Sequence, residues 1–365
     1  MRRLIREAID RLDEGALQGK RATLGFDGCS DVICRVISNN NNGSIKYLDT
    51  IEEFSRYIAR MSGLSCSIEL DSLQRTAGGN SAIFAGAISG CGVATTVVGT
   101  YGKGHIPEVF DALREKCRLY SYHDNTSAFS LEFTDGKIML APKVVITGEV
   151  WQRVIQAVGE ENLEDVFLGP DLLGFVNWGE LDYATSLWRD ACGFVAQRPD
   201  LSRHIMVDLA DIMRRTAEDI GGLTSLLEDC AKIRAVTLSL NETEAMELGR
   251  HFGLPAKGDY GELCEGLASR IDIHRVVLHA TRACYTSENG ATCWLPTQFD
   301  EAPRLLTGGG DNFNAGYAAG LLLGLRAELC NVYGNSMSSY FIKNGKSPNL
   351  SDMRNHMEKW YLELQ

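Results

Sequence analysis

The sequence predicts an α/β fold, a mostly parallel sheet covered on both faces by helices, with a small second sheet outside it. Two patterns predict this. From about residue 150, apolar runs at Leu173 to Val176, His204 to Val207, Ala235 to Ser239 and Arg275 to Leu278 alternate with helical stretches at 184–197, 216–231, 242–252 and 259–270. Such alternation means parallel strands joined by helical crossovers, with ligands at the carboxyl ends of the strands. In the first half, two hairpin signals stand apart from this rhythm. One is Asn39 to Gly43 inside the strand-like stretch 31–48, and the other is Asp135-Gly136 between Ser127 to Thr134 and Lys137 to Leu140.

From the N-terminus, Leu4, Ile5, Ala8, Ile9 and Leu12 fall at helical spacing and predict one amphipathic helix over residues 3 to about 18. Its acids Glu7, Asp10, Asp13 and Glu14 argue against an organelle-targeting helix. Ala22 to Gly25 reads as a buried strand that delivers Asp27 and Asp31 beside glycines. Carboxylates there accept hydrogen bonds from ligand hydroxyls, or simply close a turn. Thr76 to Ala82 introduces a small-residue helix over Ala82 to Ser89, followed by the strand Ala94 to Gly99. Within it, Gly79 and Asn80 let backbone and carboxamide approach a polar ligand, although Asn before a helix is equally a cap.

Further along, Asp208 follows the strand ending at Val207, and Asn241 and Glu244 follow the next. Three residues apart in the first turn of a helix, the latter two share a face that can hold the water shell of a magnesium ion, and they equally form a capping box. The stretch Leu305-Leu306-Thr307-Gly308-Gly309-Gly310-Asp311 leads into a helix predicted over Asn312 to about Leu325. Amides of Gly308, Gly309 and Gly310 can converge on an anion, and the helix dipole is expected to keep Asp311 ionised. A carboxylate beside a phosphate seat can take a proton from a hydroxyl, which points to phosphoryl transfer to an alcohol. Alone, the pattern is also an ordinary way to begin a helix.

Composition narrows the field. At 365 residues, with net charge −12 and pI near 5.1, the chain buries a large core and suits neither nucleic acid nor an anionic membrane. Eleven cysteines carry no CxxC pair and read as core hydrophobes in a reducing cytoplasm. No apolar run approaches the ~20 residues of a membrane span, and no secretion signal is recognised, so a cytoplasmic enzyme of small molecules is expected.

In order, Gly78-Gly79-Asn80, Asn241-x-x-Glu244 and Gly308-Gly309-Gly310-Asp311-x-Phe313-Asn314-Ala315-Gly316 resemble the successive signatures of the ribokinase-like (PfkB-type) carbohydrate kinases, over about residues 22 to 348. The resemblance implies a doubly wound core, with residues 1–365 as one kinase unit and the two hairpins, about 32–49 and 122–146, as a β-sheet lid over the sugar. It implies Asp311 as base, Gly308 to Gly310 as anion hole, and Asp27, Asp31, Gly79 and Asn80 around the sugar, with Gly78 supporting their turn. ATP is the implied co-substrate, with Mg2+ held through water by Asn241 and Glu244. Thr281 is implied to reach the nucleotide from His279 to Ala283, a turn that replaces the family's Gly-rich one, while Arg282 reads as a solvated charge. Asn335 is implied beside the adenine, in a penultimate helix over Asn331 to Phe341. Lid sheets in the family pair subunits, which implies a homodimer. Leu305-Leu306 replace the Asp-Thr at which the family binds a monovalent cation, and so remove those side-chain ligands. Two alternatives share the fold: a nucleoside kinase, expecting a stacking ring from Phe26, Tyr101, Phe129 or Phe133, and a catalytically impaired sugar- or nucleotide-binding regulatory protein.

Overall fold

The computed structural model describes residues 1–41, 44–143, 145–255, 259–301 and 303–364, with backbone only at 40, 41 and 44. The first half of the chain forms β1 (Arg21–Gly25), β2 (Cys29–Asn41), β3 (Ser44–Tyr47), β4 (Leu70–Gly78), β5 (Ala94–Gly99), β6 (Cys117–Ser121), β7 (Thr126–Phe133) and β8 (Gly136–Leu140). The second half forms β9 (Leu172–Phe175), β10 (His204–Asp208), β11 (Ala235–Asn241), β12 (Arg275–His279), β13 (Ala283–Glu288) and β14 (Ala291–Pro296).

One nine-stranded sheet runs in the order β14-β13-β12-β11-β10-β9-β1-β5-β6. It is parallel from β12 to β6, and the β13–β14 hairpin adds an antiparallel edge. Successive residues of a strand point to opposite faces, so a strand covered on both sides must be apolar throughout. Leu172, Met206 and Val277 accordingly join one core with the helices Asn80–Gly90, Gly309–Leu322 and Ala327–Asn344. Their neighbours Leu173, Ile205, Val207, Val276 and Leu278 join a second core with the helices Ala184–Val195, Ala217–Ala231 and Tyr260–Arg270. The chain winds outward through β1, β5 and β6, then returns to lay β9 against the other side of β1. That reversal puts a crevice at the carboxyl ends of β1 and β9.

A five-stranded sheet stands outside this core, with β2 pairing β3, β4 and β7, and β7 pairing β8. Val32, Cys34, Val36 and Leu131 fill its covered face under Phe54 of the helix Ile51–Arg60. The small sheet is larger than the two predicted hairpins, because β4 crosses from 70 to 78 as a third partner of β2. The turn of the first hairpin, at Asn42-Gly43, lies outside the described residues.

Other expectations change in detail. The N-terminal helix is two, Arg2–Asp10 and Glu14–Gln18, since Asp13 caps the second by accepting the Ala16 amide at 3.0 Å. Cys192 and Cys230 are joined as a disulfide between two helices, so the reading of every cysteine as a free core thiol is corrected there. No helix among the described residues is long and apolar enough to cross a membrane.

Candidate active site

Two helices begin at the crevice, and each is entered through a glycine of positive φ. Gly79 (φ +95°) precedes Asn80–Gly90, and Gly308 (φ +93°) precedes Gly309–Leu322, a backbone region where a side chain would be strained. Neither N-terminal turn is capped by its own N-cap side chain. For the first helix, Asp27 does the work: its carboxylate accepts the Asn80 amide at 2.7 Å and the Ser81 amide at 2.9 Å. A third donor, Asn177 Nδ2, reaches it at 2.9 Å from beyond β9. Asp27 and Asn177 thus meet at the strand reversal, where the fold predicts a ligand.

The glycine run is not all loop. Its helix starts at Gly309, earlier than predicted, and the Gly309 amide already donates to Leu306 O at 3.0 Å. Packing explains this, since a Cβ on Gly309 would meet Ile342 at 3.3 Å and one on Gly310 would meet the His279 ring at 3.3 Å. Among the described residues the amides of Gly308 and Gly310 have no acceptor. They, rather than all three, remain open to an anion at a helix N-terminus.

Asp311 lies in the first turn of that helix, 6 % exposed, and its Oδ1 has no hydrogen-bond partner. Burial, then the charges of Asp208 and Asp27, push its carboxyl well above the usual carboxylate range, while the Asn80 carboxamide acts the other way. This corrects the expectation that the helix dipole settles its ionisation. A raised proton affinity suits a base. Its charged neighbours are Asp208 and Asp27, and the Asn80 side chain of the Gly78-Gly79-Asn80 turn acts on its carboxyl.

Glu244 is 3 % exposed, and burial followed by the charge of Asp208 pushes its carboxyl upward. Its capping box with Asn241 is complete: the Glu244 amide donates to Asn241 Oδ1 at 3.0 Å, and the Asn241 amide donates to Glu244 Oε2 at 3.0 Å. Asp208, at the end of β10, is raised by burial to about 6 and held by Asn314 Nδ2 at 2.6 Å. Among the described residues no three His, Cys, Asp or Glu side chains are placed to hold a metal by themselves. Asp208 and Glu244 nevertheless supply hard oxygen donors within electrostatic reach of Asp311, a chemistry that suits a Mg2+ completed by water and phosphate oxygens.

From the small sheet, Asp31 is half-buried, with Cys29 Sγ donating to it at 3.5 Å, and Gly78 leaves no room for a Cβ against its carboxylate. Lys137 on β8 reaches across to Thr307 Oγ1, directly before Gly308. The predicted nucleotide residues fare differently. Thr281 is engaged by Glu242, which accepts its amide at 3.1 Å and its hydroxyl at 3.3 Å. Asn335 is 3 % exposed inside its helix and donates to Cys284 Sγ at 3.3 Å. Arg282 is exposed, as a solvated charge would be, with its guanidinium 3.5 Å from the Phe299 ring centroid. Of the rings that could stack on a nucleobase, Phe26 and Tyr101 are buried, Phe133 packs on Phe54 at 5.6 Å, and Phe129 on β7 is 42 % exposed.

Sequence reasoning passed over Asn177 and Glu180. Asn177 adopts φ +63° and keeps a buried, unpaired Oδ1, while its Nδ2 also reaches Glu180 at 3.3 Å. An Asn directly after a buried apolar strand was the available signal. Cavities of about 500 Å³, among Lys232, Asp272 and His274, and of about 400 Å³, beside Tyr285 and Trp294, contain none of these residues.

The chain is similar to known proteins in sequence and in fold. A family model described as prokaryotic ketohexokinase matches residues 2–360. A ketohexokinase of Haloferax volcanii is 24 % identical over 359 residues, covering 93 % of this chain and 91 % of that protein. Among solved structures, an Arabidopsis thaliana ribokinase complexed with ribose and ATP aligns with TM-score 0.62 at 14 % identity, covering 93 % of this chain and 99 % of that one. A ribokinase II from Escherichia coli in complex with ATP and Mg2+ aligns with TM-score 0.64 at 13 % identity, covering 93 % and 99 %.

Proposed function

The chain belongs to the prokaryotic ketohexokinase family, and on that premise, as a sugar kinase, we propose that it transfers the γ-phosphoryl group of ATP to a hydroxyl of a ketohexose. The observation that carries the reading is the convergence of the unpaired Asp311 Oδ1 with the open Gly308 and Gly310 amides and the Asp27–Asn80–Asn177 cluster. The sugar lies against Asp27, Asp31 and Asn80, and the unpaired Asn177 Oδ1 accepts one of its hydroxyl protons. Asp311 takes the proton of the attacking hydroxyl as its oxygen bonds to phosphorus and the bond to the β-phosphate oxygen breaks, releasing ADP. Amides of Gly308 and Gly310 hold the charge that builds on the oxygens in transit. Asp208 and Glu244 would hold Mg2+, which supplies neutralisation of phosphate charge when bound.

Release of ADP with a panel of ketohexoses, aldohexoses, hexose phosphates and nucleosides tests the reading. D-Fructose or another ketohexose is expected to exceed each other class in kcat/KM by about tenfold or more, as hydroxyl-matched sites discriminate. A nucleoside or sugar phosphate at the head of the ranking would refute it. Leu305 and Leu306 offer only hydrocarbon ahead of the loop, so turnover is expected to be the same in potassium and sodium salts of equal ionic strength. A severalfold stimulation by potassium would show that other groups bind it.

A further inference from the structure

The site is crowded with carboxylates, yet a polyphosphate must enter it. Asp208 and Asp311 feel each other and Asp27, and Glu244 feels both Asp208 and Asp311. Of the basic side chains flanking the glycine loop, Arg282 is exposed and rests on the Phe299 ring, and the side chain of Arg304 lies along Gly345, 3.3 Å from where a Cβ there would sit. Lys137 is different. It comes from the lid, and its ammonium meets Thr307 Oγ1, one residue before an amide that has no acceptor.

Register explains how it gets there. Glu132 pairs with Lys137 and Ser130 with Met139 across β7 and β8, while Ala128 pairs with Asp31 of β2. Residues 128, 130 and 132 share one face of the sheet, so Lys137 stands on the same side as the sugar-facing Asp31. The charge of Lys137 is felt there, opposing the upward push of burial on the Asp31 carboxyl. The hairpin tip is fixed as well, because Asp135 Oδ1 accepts the Ile51 amide at 2.8 Å and so fastens the turn to the helix of the lid.

We propose that Lys137 is a catalytic residue carried by the lid: when the lid is down, its ammonium meets the oxygens of the phosphoryl group in transit above Gly308 and Gly310. This rests on the kinase reading above and deepens it. A sugar that engages Asp31 holds the same sheet in place, so acceptor binding reinforces a contact that the phosphoryl charge can draw in by itself. Lys137 is exposed at the sheet edge, and its replacement leaves the core untouched.

Steady-state kinetics of Lys137→Met and Lys137→Arg test this. Lys137→Met is expected to lower kcat about 100-fold with the sugar KM within threefold of the parent, in line with the loss of one preorganised charge, and Lys137→Arg to regain at least tenfold of that. A Lys137→Met enzyme with parental kcat, or one changed only in sugar KM, overturns the proposal. A second measurement is independent of the acceptor: the thermal shift given by ADP with aluminium fluoride and magnesium, a planar mimic of the phosphoryl in flight. The parent is expected to show it and Lys137→Met to lose most of it, whereas an equal shift in both refutes the role of Lys137. Failure of every ketohexose as acceptor with the lysine-dependent shift intact would instead overturn the substrate reading alone.

Discussion

An Asp311→Asn enzyme is expected to keep the parental KM for its sugar and to turn over about 10²- to 10⁴-fold more slowly, the range of a lost general base. The replacement has the same shape, and among the described residues nothing hydrogen-bonds Asp311 Oδ1, so the fold loses little. What disappears is the acceptor for the hydroxyl proton. The amides of Gly308 and Gly310 stay, and with them a residual rate. The pH profile gives a second check. Burial and the charges of Asp208 and Asp27 raise the carboxyl, so the base form exists above the raised pKa and is consumed as pH falls through it. The parental kcat/KM should therefore show an acid limb well above the usual carboxylate range. Because Asp208 titrates at about 6 in the same cluster, the limb belongs to the set of carboxylates and not to one of them. Turnover of Asp311→Asn within tenfold of the parent would mean that another group takes the proton.

The core sheet was legible because burial on both faces demands apolar runs, and β5 and the starts of β10, β11 and β12 fall where such runs begin. The site was legible wherever its residues sit next to helix starts, as Asp311, Asn80, Asn241 and Glu244 do. What stayed hidden depends on pairings between distant parts of the chain. Asn177 matters because β9 lies beside β1, and it reaches an Asp 150 residues away. Strand β4 reads as polar surface, Leu-Asp-Ser-Leu-Gln-Arg-Thr, and is a strand only because β2 offers it a ladder. The early start of the glycine-run helix follows from the walls of Ile342 and His279, which no local pattern announces. The Asn335 carboxamide likewise donates to a buried thiol from a distant part of the chain.

The two lid-side carboxylates should separate cleanly under mutation. Asp27 accepts three donors, the Asn80 and Ser81 amides and Asn177 Nδ2, at a position 3 % exposed. An Asp27→Ala protein leaves the Asn80 and Ser81 amides without an acceptor and Asn177 Nδ2 with only Glu180 at 3.3 Å, and each stranded donor costs about 1–3 kcal/mol. Since shared relaxation makes such losses less than additive, a destabilisation of roughly 3–5 kcal/mol is expected, together with loss of measurable sugar phosphorylation. Asp31→Asn, by contrast, removes a half-buried carboxylate with one weak thiol donor, and should raise the sugar KM while the unfolding temperature stays within a few degrees. Thermal unfolding and steady-state kinetics on the pair decide the matter. If Asp27→Ala unfolds at the parental temperature, the carboxylate is not what holds the start of the Asn80–Gly90 helix. Its place at the reversal between β1 and β9 would then have to be explained by the ligand alone.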